Sequence, residues 1–135
     1  MTETTKVRRD APMSPHLQIW RWHITMATSI LHRVTGVGLY LGGLIAAAWA
    51  IELASGPEDY AAFKHVMGSP LGVLVMFGMT LSFFYHLANG VRHLVWDLGK
   101  GLEVRTANAT SIVVFAFALA ATVAIWAIAV MTGAV

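Results

Sequence analysis

Three stretches free of Asp, Glu, Lys and Arg constrain this chain most: Val34 to Ile51 (18 residues), His65 to Val91 (27) and Thr106 to Val135 (30). An α-helix rises ~1.5 Å per residue, so about 20 apolar residues cross a hydrocarbon core of ~30 Å. The sequence therefore reads as all-α, an integral membrane protein with three transmembrane helices in a single anchor domain over residues 1–135. The chain is 57% hydrophobic and 12% charged, about half the charge of an ordinary soluble domain. Little remains to fold outside the bilayer.

Punctuation residues set the expected bounds. The first span runs from about Thr25 to Leu53, because Gly56 and Pro57 break the helical pattern just beyond it. The second runs from about Pro70 to Gly99 and the third from about Asn108 to Met131. Gly38 and Gly42 give the first span the small-xxx-small spacing that lets helix backbones approach closely. The third span is almost uniformly Ala, Val, Ile and Phe, which suits packing against neighbours and lipid. Residues 1–24 read as a charged tail followed by an interfacial segment carrying Trp20 and Trp22. No short apolar core followed by a small-residue cleavage site precedes the first span, so a cleaved signal peptide is not expected.

Charge distribution gives an orientation. Lys6, Arg8, Arg9, Arg21 and Arg33 lie before or just inside the first span, and Arg92, Lys100 and Arg105 surround the second connection. Lys64 alone lies in the first connection, so the nine basic residues divide eight to one. That is the positive-inside pattern, which puts the N-terminus and the 97–107 loop in the cytoplasm and the C-terminus on the opposite side; the location expected is a bacterial inner membrane, with the C-terminus periplasmic. The isoelectric point near 9.3 is thereby explained by membrane topology, and no nucleic-acid partner is expected. The absence of cysteine excludes disulfides and thiolate metal sites, leaving histidine and carboxylate for any metal chemistry.

Polar residues inside an apolar span need an explanation, since a charge at the bilayer centre costs roughly 2.5 to 3.5 kcal/mol on insertion scales. Ser29, His32, Arg33 and Gly36 fall at i, i+3, i+4 and i+7; His86, Asn89, Gly90, His93 and Asp97 fall at i, i+3, i+4, i+7 and i+11. Two polar faces aligned at the cytoplasmic ends would form a pocket of hydroxyl, imidazole, guanidinium and carboxylate groups. His86 lies deepest, ~16 Å from Asp97 along a helix. A neutral imidazole there suits a haem iron, and Gly90, one turn on, leaves room for a flat macrocycle. A hydrogen bond to a neighbouring helix would satisfy the same histidine. His93 sits ~10 Å farther along the same face, so it cannot ligate the same iron from the opposite side. A partner helix would have to supply the second ligand. His32, Arg33 or Arg92 would neutralise haem propionates.

Ser29 and Arg33 also suit hydrogen bonding to the carbonyls of a lipid-soluble quinone, with Asp97 delivering protons through water. Each has an ordinary alternative: Ser29 bonding back to its helix, Arg33 snorkelling, and Asp97 pairing with Arg92 or Lys100. A cofactor-free membrane scaffold or assembly subunit, in which the polar faces only join helices, and a small proton or solute carrier remain open at this point.

Three motifs carry a family resemblance. "SPHLQIW" (14–20), "SILHRVTG" (29–36) and "HLANGVRHLVWDLGKG" (86–101) resemble, in order, the S-P-H-x-x-I-Y, S-I-x-H-R-x-T-G and H-x-x-N-G-x-R-H-L-x-W-D signatures of the cytochrome b membrane-anchor subunit of succinate dehydrogenase, respiratory complex II. Trp20 stands where that family usually has Tyr, and Ala11 precedes Pro12 where Arg is common. The resemblance implies that His86 is an axial ligand of haem b and that a second small anchor subunit provides the other ligand. It implies that His32 and Arg33 approach the propionates. Ser29 and Arg33, with Asp97 as a less direct participant, would line a ubiquinone site completed by the iron-sulfur subunit and the second anchor. A flavoprotein subunit would oxidise succinate upstream, leaving this chain a non-catalytic anchor and electron-transfer subunit of the respiratory chain and tricarboxylic acid cycle.

Overall fold

The computed structural model describes residues 21–133. The charged tail, Trp20 and the 14–20 motif lie outside the described residues. Among the described residues four helices run in the order α1 (Ile24–Ser55), α2 (Pro57–Met67), α3 (Pro70–Asp97) and α4 (Val104–Met131). Of these, α1, α3 and α4 are long and apolar enough to cross a membrane. Their order is that of the three charge-free stretches. The largest difference in bounds is at α4, which begins at Val104 where the apolar pattern alone suggests Asn108. Its ladder already closes from Ala107 N to Glu103 O at 2.8 Å, carrying Arg105 and Thr106 into its first turn.

The short α2 is not anticipated by apolar length. Gly56 adopts φ 127, a conformation open to glycine, and turns the chain. Pro57 then starts α2 at the position where its fixed φ suits a helix. Glu58 and Asp59 occupy the first turn and Lys64 and His65 the last, complementing the helix dipole at both ends. The Ser69 hydroxyl oxygen accepts from Gly72 N at 3.2 Å and caps α3, with Pro70 in its first turn.

The start of α1, the end of α3 and the start of α4 meet at one end of the bundle, through contacts among Thr28, Arg92 and Thr110. Few large side chains are buried. The interior is Tyr85, Val114 and Ala118, with Thr28, Asn89, Ser111 and Thr122 fully enclosed. This is the composition of membrane helix packing, where small residues allow close approach and polar atoms must be satisfied locally. On α4 the buried residues Ser111, Val114, Ala118 and Thr122 form one stripe. Ser111 and Thr122 donate their hydroxyls to the carbonyls of Ala107 and Ala118, at 2.8 and 2.7 Å, so they pack without orphaned polar groups. Phe84 against Phe117, Tyr85 against Phe115 and Phe77 against Trp126 complete the α3–α4 seam.

Close approach of α1 to α3 centres on Gly38 and Gly42. A methyl added at Gly38 would lie 3.5 Å from Ser82 Oγ, and one at Gly42 would meet the Met79 methyl. Because the Met79 tip is flexible, Gly42→Ala is expected to cost only about 1 kcal/mol, read as a lowered thermal midpoint of the solubilised protein. Gly43→Ala, whose added methyl meets nothing within 4 Å, should leave that midpoint unchanged.

Candidate functional site

Histidine chemistry gathers where α1 crosses α3. On α1 the side chains turned toward α3 are Thr28, His32, Thr35 and Gly36, at i, i+4, i+7 and i+8. The His32 ring stacks on His86, with centroids 3.9 Å apart and planes 12° apart. His86 Nδ1 lies 3.1 Å from the His32 carbonyl oxygen and 3.2 Å from Thr35 Oγ1. The Thr35 hydroxyl proton is directed to backbone, with Leu31 O at 2.7 Å and His32 O at 3.1 Å. Both oxygens near His86 Nδ1 therefore act as acceptors, which puts the imidazole proton on Nδ1 and leaves the Nε2 lone pair uncommitted. A carbonyl partner of this kind fixes the ring orientation of a metal-ligating histidine and raises its basicity.

Two glycines shape the surroundings of this ring. A methyl at Gly36 would lie 3.2 Å from His86 Cε1, so the absence of a side chain lets α1 reach the imidazole. At Gly90 an added methyl meets nothing within 4 Å. That part of the α3 face is open, one turn from His86. His93 is exposed and bridges outward, its ring 5.2 Å from His32 and 5.0 Å from Trp96.

The remaining sequence candidates do not join this cluster. Ser29 and Arg33 are exposed on the next stripe of α1, and Asp97 is the exposed last residue of α3. The single polar stripe expected on α1 divides into two: Thr28, His32, Thr35 and Gly36 face α3, whereas Ser29 and Arg33 face away. Among the described residues, Asp97 pairs with neither Arg92 nor Lys100. The imidazoles of the expected pocket do come together, with the Thr35 hydroxyl in the place expected for Ser29, but Ser29, Arg33 and Asp97 remain outside it.

Arg92 requires a larger correction. Sequence position suggests a rim residue, free to snorkel or to meet a propionate, yet only 6% of it is exposed. Its Nε donates to Thr110 Oγ1 at 3.0 Å and its Nη2 to Ala107 O at 2.9 Å. Nη1 donates to Asn89 Oδ1 at 3.2 Å and Thr28 Oγ1 at 3.4 Å. The guanidinium lies 3.9 Å over the Trp96 ring, while Trp96 Nε1 donates to Gly101 O at 3.1 Å. One cation thus ties α1, α3 and α4 together through hydroxyls, carbonyls and a π face, without a carboxylate among the described residues. Sequence reasoning missed Tyr85, Thr28 and Thr35 altogether. A signal was present, since Tyr85, Asn89, Arg92 and Trp96 repeat at i, i+4, i+7 and i+11, one residue out of phase with His86, Gly90, His93 and Asp97.

Comparison with known proteins adds independent findings. Residues 7–125 match the family described as Succinate dehydrogenase/Fumarate reductase transmembrane subunit. The chain is 35% identical to the succinate dehydrogenase cytochrome b556 subunit of Rickettsia felis over 127 residues, covering 93% of this chain and 99% of the relative. It is 36% identical to the cytochrome b556 subunit of Paracoccus denitrificans over 104 residues, covering 77% and 80%. It is 38% identical over 105 residues to the mitochondrial cytochrome b560 subunit of Sus scrofa, covering 76% of this chain and 62% of that one.

Proposed function

This chain belongs to the succinate dehydrogenase/fumarate reductase transmembrane subunit family, and from that premise we propose that it anchors a succinate dehydrogenase in the membrane, supplies one axial ligand of a haem b and forms part of a ubiquinone-reduction site. The observation that carries the haem assignment is the tether of His86 Nδ1 to the His32 carbonyl and Thr35 hydroxyl. It leaves Nε2 free in the neutral tautomer a haem iron requires, and Gly90, one turn along α3, keeps its own stretch of the helix open. Bound haem b supplies a one-electron carrier within the membrane. The protein's part is to hold and orient it: His86 ligates, and His32 and Arg33 at the adjoining turn of α1 meet the propionates. A second small anchor subunit would supply the remaining ligand.

Ser29 and Arg33 occupy the exposed stripe beside the histidine cluster. Facing away from α3 leaves them to a site completed by other chains, the iron-sulfur subunit and the second anchor. There the Ser29 hydroxyl donates to one quinone carbonyl and the Arg33 cation polarises it, while Asp97 relays protons through water from the surface. Electrons arrive from succinate through the flavoprotein and iron-sulfur subunits, so this chain contributes binding and orientation without oxidising succinate itself. The predominance of basic residues at the end where α1 starts supports a cytoplasmic location for that end in a bacterial cell, with the C-terminus periplasmic.

Ser29→Ala and Arg33→Ala test the quinone role. In the purified complex, succinate:quinone reductase activity should fall at least tenfold, the loss expected for a charge-assisted hydrogen bond of about 1.5 to 3 kcal/mol. Succinate oxidation with a water-soluble acceptor should persist. Wild-type rates in both assays would remove Ser29 and Arg33 from the quinone site.

A further inference from the structure

We propose that Tyr85 and Arg92 are positioning residues for quinone reduction, fixing the rotation of α1 through Thr28 so that Ser29 and Arg33 face the quinone; this rests on the quinone role of those two residues. Thr28 is fully buried and is gripped at two atoms by α3. Its carbonyl accepts from Tyr85 OH at 2.9 Å. Its hydroxyl donates to Thr25 O at 2.9 Å and therefore accepts from Arg92 Nη1, at 3.4 Å. Arg92 is itself held by Asn89, Thr110 and Ala107, so the grip extends to α4.

The start of α1 needs such a device. His23 at its N-cap makes no side-chain capping bond and the first turn has no acidic residue, so the helix start lacks the usual local anchors. Successive residues turn by about 100°, which puts Ser29 and Arg33 about 40° apart on the stripe adjoining Thr28. A side-chain atom about 6 Å from the axis moves ~1 Å for each ~10° of helix rotation. Reacting and binding groups are sensitive on that scale, where a ~1 Å misplacement can cost as much as ~10²-fold. A bundle hub alone could have been built from apolar side chains at no desolvation cost. A buried fork aimed at the turn that carries Ser29 instead gives a defined rotational setting.

The test uses the complete membrane complex. Tyr85→Phe removes one donor and keeps the ring against Phe115, and Arg92→Lys keeps the charge and loses the fork. Each is expected to raise KM for quinone three- to tenfold while leaving succinate oxidation by a water-soluble acceptor and the amount of haem b per complex at wild-type values. On a Ser29→Ala background the same changes should add a smaller rise, because one of the two groups they position is gone. A wild-type quinone KM in Tyr85→Phe overturns the proposal, as does an undiminished effect on the Ser29→Ala background. If Arg92→Lys does not assemble, Tyr85→Phe and Thr28→Val carry the decision. Wild-type behaviour of Ser29→Ala and Arg33→Ala themselves would instead overturn the quinone site on which the proposal rests.

Discussion

His86→Ala is expected to abolish the reduced-minus-oxidised absorption of haem b in the purified complex, leaving succinate oxidation by a water-soluble acceptor intact. The size of the effect stems from the uniqueness of the ring's setting. Its Nδ1 is committed to two acceptors on α1, which fixes the orientation of the ring and leaves Nε2 as the free nitrogen. His93 lies ~10 Å along the helix and is exposed, too far to take over without unwinding α3. Alanine also leaves a cavity the size of an imidazole, which offers an internal control. Added imidazole should restore part of the absorption if the lost group was a ligand, but not if its removal had disordered the helix contact. An unchanged haem b content after substitution would overturn the ligand assignment.

The same region shows how far the sequence could be read. Three spans are legible from charge alone, because exposing an ionised group to lipid costs far more than any helix propensity contributes. The short α2 is invisible to that criterion: its 11 residues carry Glu58, Asp59 and Lys64, and it rests on a glycine turn, a proline start and charges matched to its dipole. Placement of His86 inside the bundle is legible from its depth. Partition of the α1 stripe is not, and the geometry explains it. With about 100° per residue, Ser29, His32, Arg33 and Gly36 span about 100° of the helix circumference, and the edge of the α1–α3 contact cuts through that arc. His32 and Gly36 fall inside it and Ser29 and Arg33 outside.

Arg92 marks a different limit. Whether an arginine near a helix end snorkels or turns inward depends on acceptors from elsewhere in the chain. Here they are Thr28, 64 residues away in sequence, and Thr110 and Ala107, 18 and 15 away. Periodicity places the residue on a face, but the partners that hold its charge emerge only when three helices meet.

Gly90→Leu should separate a cofactor seat from a merely polar helix contact. Within this chain a first side-chain carbon at this position meets nothing within 4 Å, and the internal contacts of α1, α3 and α4 should survive. If the open face one turn from His86 receives the macrocycle, a leucine there competes with it directly. Haem b per complex should then fall by more than half while the anchor still assembles with its partner subunits. Gly36→Ala should behave oppositely. Its methyl lies 3.2 Å from His86 Cε1, closer than ordinary contact, so a tethered ring must shift by a few tenths of an ångström, changing the haem spectrum with little loss of haem. Full occupancy in Gly90→Leu would place the macrocycle on another face of His86. Loss of partner assembly together with haem would make the open face a protein contact. The two glycines therefore test opposite sides of one imidazole, the side that holds it and the side it offers.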